Sequence, residues 1–213
     1  MSTVARPERT RLLEAMLEEL VEKGYPALEV EDAVHRARLS GADWSSRFPN
    51  KDVCLVEAFE ELADQLRTAI GRGCMTGESW AERVAGGLRV LLAELARRAS
   101  MAEALARTFP SIGPSAVTHY QAFVESLAPL LAPGRELAAG LELPNEVEVL
   151  AVGAVEAIVM ERIQAGETAS LPELGPEILF SLLVPFVGPV AASEAMEAER
   201  RKRAEGEGRS APA

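Results

Sequence analysis

The fold of this chain is decided by residues 24–52, whose sequence is GYPALEVEDAVHRARLSGADWSSRFPNKD. Apolar residues recur at helical spacing from Val30 to Ala37, and a turn signal, Leu39-Ser40-Gly41, then interrupts them. Residues 42–48 can form a second short helix. An amphipathic helix precedes both and ends at Gly24, a residue suited to the left-handed position after a helix. The sequence therefore predicts three helices within residues 1–52, the last two of which form a helix-turn-helix.

The same stretch resembles the tetracycline-repressor (TetR) family of bacterial transcription regulators. The positions that match the family pattern, in register and without a gap, are Gly24-Tyr25, Val30, Ala37, Leu39-Ser40, Phe48, Pro49 and Lys51-Asp52. The resemblance implies an all-α fold, in which a larger helical C-terminal domain follows a three-helix N-terminal helix-turn-helix head, with about nine helices in all. We expect the DNA-binding domain at 1–52 and a ligand-binding and dimerisation domain at 53–195, and the composition of the last residues predicts a charged, partly disordered tail at 196–213.

Several residues of the motif depart from the family where DNA contact would be made. The family's threonine of helix two, turn glycine, reading-helix threonine and reading-helix tyrosine fall on Glu29, Arg38, Asp43 and Ser45. An acid that faces phosphates is repelled by them. Asp43 has a second interpretation, because Ser40-x-x-Asp43 resembles a capping box and an acid is favoured in the first turn of a helix. Both interpretations stay open from the sequence alone.

The candidate DNA contacts lie in the turn, in the short reading helix and just after it. In a helix-turn-helix, the last short helix enters the major groove and its neighbours hold phosphates. The candidates are Arg38, Ser40, Gly41, Ala42, Asp43, Trp44, Ser45, Arg47 and Lys51.

The net charge of the predicted head is unfavourable for DNA binding. Eight basic and ten acidic residues give residues 1–52 a net charge of −2, within −11 for the whole chain. Phosphate neutralisation supplies most non-specific affinity, so the basic residues must cluster on one face. Arg36, Arg38, Arg47 and Lys51 flank the reading helix, while an N-terminal arm would carry Arg6, Arg9 and Arg11. The alternative for each arginine is a solvated surface position.

Beyond residue 52 the chain predicts one helix after another, with no alternating strand pattern. Asn50 can cap a helix that runs to about Ile70, after which three glycines, at 71, 73 and 77, loosen the chain. A capping box, Ser79-x-x-Glu82, opens the next helix. A short helix from about Met101 then ends at Pro110.

The last part of the chain predicts three more helices. Pro114 starts one that stops before Pro133. Pro144 opens another, which runs to about Ala165 and whose apolar residues cover far more than one stripe. A capping box at Ser170-x-x-Glu173 precedes the last, which two prolines, at 185 and 189, bend or end.

The apolar surface of the last two long helices exceeds what one monomer core easily absorbs. We expect these helices to pair with their copies across a two-fold axis in a homodimer, as the resemblance also implies. The alternative is that the excess packs inside the monomer.

The resemblance also implies a cavity for a small apolar effector of unknown identity. His119 and Tyr120 could orient such a ligand over an apolar wall. The candidate residues are Trp80, Met101, Phe109, His119, Tyr120, Phe123, Glu156 and Met160. Ordinary core or surface positions are the alternative for each of them.

Enzymatic chemistry is not indicated. The two histidines, His35 and His119, are far apart and fit no catalytic motif, and no phosphate-binding loop, dinucleotide fingerprint or metal-ligand spacing is present. Two cysteines are too few for a disulfide framework, which fits a reducing cytoplasm. The longest apolar stretch, 178–192, is interrupted and falls short of a membrane span. We expect a cytoplasmic protein without cofactor, metal site or membrane association.

The sequence thus predicts a TetR-like one-component regulator, read as a repressor, that binds operator DNA as a dimer and is released by its effector. The other possibility is a family member whose head no longer reads DNA and which acts as a ligand- or protein-binding dimer. Glu29, Asp43 and the absent tyrosine motivate that alternative.

Overall fold

The computed structural model describes residues 5–138, 140 and 142–210. These residues form nine α-helices and no strand, so the predicted all-α fold is confirmed. The helices are α1 (Ala5–Lys23), α2 (Val30–Arg36), α3 (Gly41–Ser45), α4 (Lys51–Cys74), α5 (Trp80–Arg97), α6 (Ala99–Ile112), α7 (Pro114–Glu125), α8 (Val147–Gln164) and α9 (Gly175–Ser210). Short 3₁₀ helices lie at Tyr25–Ala27, Ala128–Leu130, Ala132–Leu137 and Thr168–Leu174.

The chain divides into two compact units. The first unit takes in the described residues up to Gln65 together with Arg98–Gln121, and the second unit takes in Leu66–Arg97 and the described residues from Ala122 onward. The described part of the predicted head, 1–52, lies wholly in the first unit.

The core of the first unit is built from one face of α1 and the apolar residues of α2, α3 and α4. Leu12, Met16 and Leu20, spaced four residues apart on α1, are almost completely buried. They pack in one cluster with Trp44 and Phe48. Burying a large apolar side chain contributes about 1.5–3 kcal/mol. This cluster therefore holds α1, α2, α3 and the start of α4 together.

In the second unit, the end of α4 and the start of α5 approach each other through glycine. A Cβ atom on Gly86 would lie 2.3 Å from the carbonyl oxygen of Gly73, and a Cβ on Gly87 would lie 2.5 Å from the Sγ of Cys74. A side chain at Gly86 would require the backbone of α4 or α5 to move, whereas one at Gly87 would first displace the Cys74 side chain. The expectation that glycines loosen the chain after Ile70 is therefore wrong at position 73, because α4 continues to Cys74 and uses glycine for close packing.

The ends of α6 and α7 also differ from those predicted, and α8 begins at Val147, three residues after the predicted opening at Pro144. α6 continues past Pro110 to Ile112, because proline near a helix end removes only one hydrogen bond of the last turn. α7 ends at Glu125, and two 3₁₀ helices replace its predicted continuation toward residue 131.

The predicted capping box at Ser170 is also wrong. Ser170 lies within the 3₁₀ helix Thr168–Leu174, and its hydroxyl donates to the carbonyl oxygen of Glu167. α9 begins five residues later, at Gly175. The tight 3₁₀ segment occupies the place in which a first helical turn was expected.

The backbone of α9 is interrupted at Gly188, whose φ of 75° and ψ of 169° are not helical. Before the break, Leu179, Leu183 and Phe186 are buried inside the protein. By length and composition alone, Thr168–Glu205 could cross a membrane. A single helix of this kind is weak evidence for a membrane span, and 33% of its most apolar window is buried inside the protein.

The charged segment of α9 after Gly188 is held by ion pairs within the second unit. Arg89 of α5 donates two hydrogen bonds to the Glu199 carboxylate, at 2.8 and 2.7 Å. Arg200 reaches Glu177 at 2.7 Å, and Arg203 donates to the carbonyl oxygen of Pro172. The tail predicted at 196–213 is therefore helical as far as Ser210, and residues 211–213 lie outside the described residues.

Candidate nucleic-acid interface

The turn between α2 and α3 is closed by two backbone hydrogen bonds. The Arg38 amide donates to the carbonyl oxygen of His35 at 3.0 Å, and the Leu39 amide donates to that of Val34 at 3.1 Å. This is the Schellman arrangement, which requires a left-handed residue after the helix. Arg38 is that residue, with a φ of 56°. Glycine normally occupies this position, so the family's turn glycine and this arginine meet the same backbone requirement.

The start of α3 is fixed by a capping box. The Asp43 amide donates to the Ser40 hydroxyl at 3.2 Å, and the Ser40 amide donates to the Asp43 carboxylate at 2.8 Å. Hydrogen bonds from the hydroxyl and the amide of Ser40 lower the pKa of the Asp43 carboxyl. The capping interpretation of Asp43 is confirmed: its charge stabilises the helix start.

α3 has a buried side and an exposed side. Trp44 and Phe48 are buried, with ring centroids 5.1 Å apart. Trp44, a candidate DNA contact from the sequence, therefore packs into the core and anchors the helix. The exposed residues are Ser40, Gly41, Ala42, Ser45 and Ser46. A Cβ on Gly41 would meet nothing within 4 Å, so this surface is open.

Arg36, at the end of α2, is occupied by three carboxylates of α1. Its guanidinium donates to Glu18 at 3.2 Å, Glu19 at 2.6 Å and Glu22 at 2.5 Å. The pKa of Arg36 is raised by these partners, with Glu22 contributing most. Burial acts to raise the pKa of Glu19, but hydrogen bonds from Lys23 and Arg36 outweigh it and lower that pKa. Arg36 thus fastens α2 to α1 and is not available to a phosphate.

Two more cations beside the reading helix have internal partners. Arg47 donates to the Glu8 carboxylate and to the carbonyl oxygen of Asp43, both at 2.7 Å. Lys51 donates to the carbonyl oxygens of Tyr25 and Leu28, at 3.3 and 3.0 Å. The lysine closes the connection between α1 and α2 rather than reaching outward.

The expected N-terminal arm is helical instead. α1 includes residues 9 and 11, and Arg9 donates to Glu57 and Glu61 of α4, at 2.6 and 3.2 Å. The side chain of Arg6 lies outside the described residues. Among the described side chains of residues 8–52, only Arg11 and Arg38 are exposed arginines that pair with no acid.

Sequence reasoning missed the part played by Glu8. Its carboxylate lies on α1, 39 residues before its partner Arg47, and the two side chains are 29% and 21% exposed. No local spacing signals a pair at that separation. The hydrogen bond from the Tyr25 hydroxyl to Asp52, at 2.8 Å over 27 residues, was missed for the same reason.

Four of the eight candidate effector residues lie in the first unit. Phe109 packs edge-on against Phe59, with centroids 4.7 Å apart, and Tyr120 lies 6.2 Å from the same ring. His119 places its Nδ1 2.6 Å from a Glu60 carboxylate oxygen. Met101 packs against the core cluster of the head.

The other four lie in the second unit. Trp80 is buried, its ring 5.2 Å from that of Phe186. Phe123 lies 5.6 Å from the guanidinium of Arg67. Glu156 and Met160 are partly buried, one turn apart on α8. The eight candidate effector residues are therefore divided equally between the two units.

Comparison with known proteins supports the fold and not a particular function. No protein-family model matches the sequence, and no curated protein matches it significantly. The fold is similar to that of the fatty acid degradation regulator FadR from Bacillus halodurans, with a TM-score of 0.70 and 17% identity over 81% of this chain and 96% of that chain.

Two further solved structures agree. One, described as a TetR-family transcriptional regulator from Syntrophomonas wolfei, has a TM-score of 0.71 and 17% identity, covering 84% of this chain and 96% of that one. A TetR-family regulator from Marinobacter aquaeolei has a TM-score of 0.58 and 16% identity, covering 81% and 95%. The chain therefore has the fold of the TetR-family transcription regulators.

Proposed function

We propose that this chain is a TetR-type transcription regulator. In this proposal residues 1–52 bind operator DNA, residues 53–195 dimerise and bind a small apolar effector, and binding of the effector releases the DNA. The fold shared with transcription regulators supports a regulator. We further propose that it works as a repressor in the cytoplasm and has no enzymatic activity.

One observation carries the DNA-binding proposal: α3 is fixed on one side and open on the other. Trp44 and Phe48 hold it in the core, and the capping box at Ser40 fixes its start. Its exposed surface presents glycine, alanine and serine, which allow a close approach to base edges. A helix that is rigid, exposed and flanked by a turn is what insertion into a major groove requires.

The charge around α3 predicts a weak grip on the DNA backbone. Arg36, Arg47 and Lys51 are engaged inside the protein, which leaves Arg38 as the exposed cation next to the reading helix. We propose that Arg38 contacts a phosphate. Ser40, Gly41, Ala42 and Ser45 would form the surface that faces the bases, and Asp43 would contribute only through the cap.

The dimer is supported by apolar side chains that the single chain leaves exposed on its last two helices. Val149 and Leu150 of α8 are 42% and 66% exposed, and Val190 of α9 is 73% exposed. Exposed apolar surface on two long helices favours association. We propose that α8 and α9 pair with their copies.

The effector proposal rests on one unsatisfied group among the described residues. The indole N–H of Trp80 is buried and has no hydrogen-bond acceptor among them. Leaving such a donor unpaired costs about 1–3 kcal/mol. An apolar molecule with one acceptor oxygen would satisfy it, and we propose an effector of that kind.

Fluorescence anisotropy with DNA fragments selected from a random pool tests DNA binding. We expect affinity to fall steeply with salt, because phosphate contacts release counterions. Arg38→Ala should make the negative slope of log affinity against log salt shallower by about 0.9 for each head, because one phosphate contact is lost. The matched control is Arg107→Ala, an exposed arginine on α6 that should leave the slope unchanged.

The same measurement decides the rival function, a ligand- or protein-binding dimer whose head does not read DNA. The internal pairing of Arg36, Arg47 and Lys51 favours that rival. Negligible binding of every selected fragment at low salt would refute the proposal and support the rival.

A further inference from the structure

The cations around the reading helix differ in how firmly the protein holds them. Arg36 contacts three carboxylates, and Arg9 contacts two. Arg47 has one close carboxylate partner, Glu8, at 2.7 Å, while that of Asp43 is 3.8 Å away. Of the paired arginines of the head, Arg47 therefore has the fewest close carboxylate partners to exchange before it can turn to another anion, although its Nη1 also donates to the carbonyl oxygen of Asp43 and the hydroxyl of Ser46.

Arg47 also stands where a phosphate contact is useful. It follows the end of α3 by two residues, and residues just after a reading helix hold the DNA backbone. One of its nitrogens, Nη1, donates to the carbonyl oxygen of Asp43, which fixes the guanidinium to the helix. The other, Nη2, donates to Glu8. The Glu8 carboxylate thus occupies the side of the guanidinium that a phosphate oxygen would take.

From this geometry we infer that Glu8 is an internal competitor for phosphate, which holds Arg47 and weakens the grip of the head on DNA. The inference rests on the proposed DNA-binding function and adds a residue that sets its strength. For Arg47 to bind a phosphate, its bond to Glu8 must be exchanged, and the released carboxylate then lies beside the DNA backbone and repels it. Both effects lower affinity without changing which bases are read.

The test is Glu8→Gln in the full-length protein, assayed by anisotropy across a salt series on the selected fragment. The amide keeps the size of the side chain and removes its charge. We expect affinity to rise on the order of threefold per head, the upper range for a partly exposed ion pair. The slope of log affinity against log salt should steepen by about 0.9 per head, because the freed Arg47 now neutralises a phosphate.

Two further variants separate this mechanism from a general change in charge. Glu14→Gln makes the same charge change at an exposed position of α1, so it should raise affinity less than Glu8→Gln does and leave the slope nearly unchanged. Arg47→Gln should remove the gain in the Glu8→Gln background, and in the wild-type background it should lower affinity, because it leaves the Glu8 carboxylate unpaired beside the DNA backbone. Circular dichroism melting of each variant checks that the head remains folded.

The outcomes distinguish this inference from the function on which it rests. If the wild-type protein binds DNA and Glu8→Gln behaves like Glu14→Gln, the competitor role is overturned and the DNA-binding proposal stands. If Glu8→Gln reveals binding that the wild-type protein lacks, the inference is supported. If no variant binds any fragment, both proposals are overturned.

Discussion

Arg38 has a left-handed backbone at a position where the family pattern has glycine. A side chain with a Cβ raises the energy of that conformation by roughly 1–2 kcal/mol. Glycine avoids this cost but loses more entropy on folding, so we expect Arg38→Gly to raise the free energy of unfolding by about 0.5–1 kcal/mol. Urea unfolding followed by circular dichroism measures the change.

Arg38→Ala is the control for that measurement. Alanine removes the charge but keeps the Cβ, so it should give no comparable gain in stability. Equal stabilisation by both variants would show that charge repulsion, and not backbone strain, is relieved. Because Arg38 is also the exposed cation beside α3, the glycine variant should be more stable and bind DNA more weakly.

Of the three capping boxes that the sequence predicts within one helical turn, two are found and the third, at Ser170, is not. The capping boxes at Ser40 and Ser79 are both present in the structure. Glu8 with Arg47, and Tyr25 with Asp52, lie 39 and 27 residues apart, so only the folded chain reveals them. The net charge of the head therefore could not show which of its basic side chains are engaged in internal ion pairs.

At the scale of elements, the crossing of α4 and α5 depends on residues without side chains. We expect Gly86→Ala to lower the free energy of unfolding by about 2 kcal/mol or more, because the added methyl group would overlap the Gly73 carbonyl and force the helices apart. Thermal melting measures the loss.

Gly71→Ala, two residues before Gly73 on α4, is the matched control. A Cβ there would meet nothing within 4 Å, so alanine should stabilise the helix by up to about 1 kcal/mol. The two variants make the same chemical change and should shift the melting temperature in opposite directions. If both variants lower the melting temperature, the gain in helix propensity expected for Gly71→Ala is contradicted.

Element type was predictable from sequence, and several boundaries were not. Gly73 suggested flexibility, because a sequence does not show whether a glycine is exposed or pressed against another backbone. Ser170 suggested a helix start, because its spacing to Glu173 is that of a capping box, yet the chain there forms a 3₁₀ helix. In both cases tertiary packing decided between two local structures that the residues allow.

At the scale of the whole molecule, exposed apolar residues on α8 predict how the protein associates. If the proposed dimer forms through α8 and α9, we expect Leu150→Glu to convert it into a monomer at micromolar concentration, because a carboxylate in an apolar helix interface is left without a partner. Sedimentation velocity measures the mass. Leu150 is 66% exposed in the single chain, so the substitution should leave the monomer folded.

The matched control is Met75→Glu, at an apolar side chain that is 83% exposed and belongs to the connection between α4 and α5, not to either of the last two helices. This variant should remain a dimer. A Leu150→Glu protein that sediments as a dimer, or a wild-type protein that sediments as a monomer, would contradict the proposed interface.

The ion pairs after Gly188 decide how the end of this chain tolerates change. The contacts described above for that segment involve residues up to 203, so a fluorescent protein or affinity tag joined after Ala213 would leave those contacts in place. A chain that stops before Glu199 would strand the charge of Arg89, and one that stops before Ala192 would also lose a side chain that is completely buried. Truncation into the segment between Gly188 and Arg203 is thus expected to destabilise the second unit.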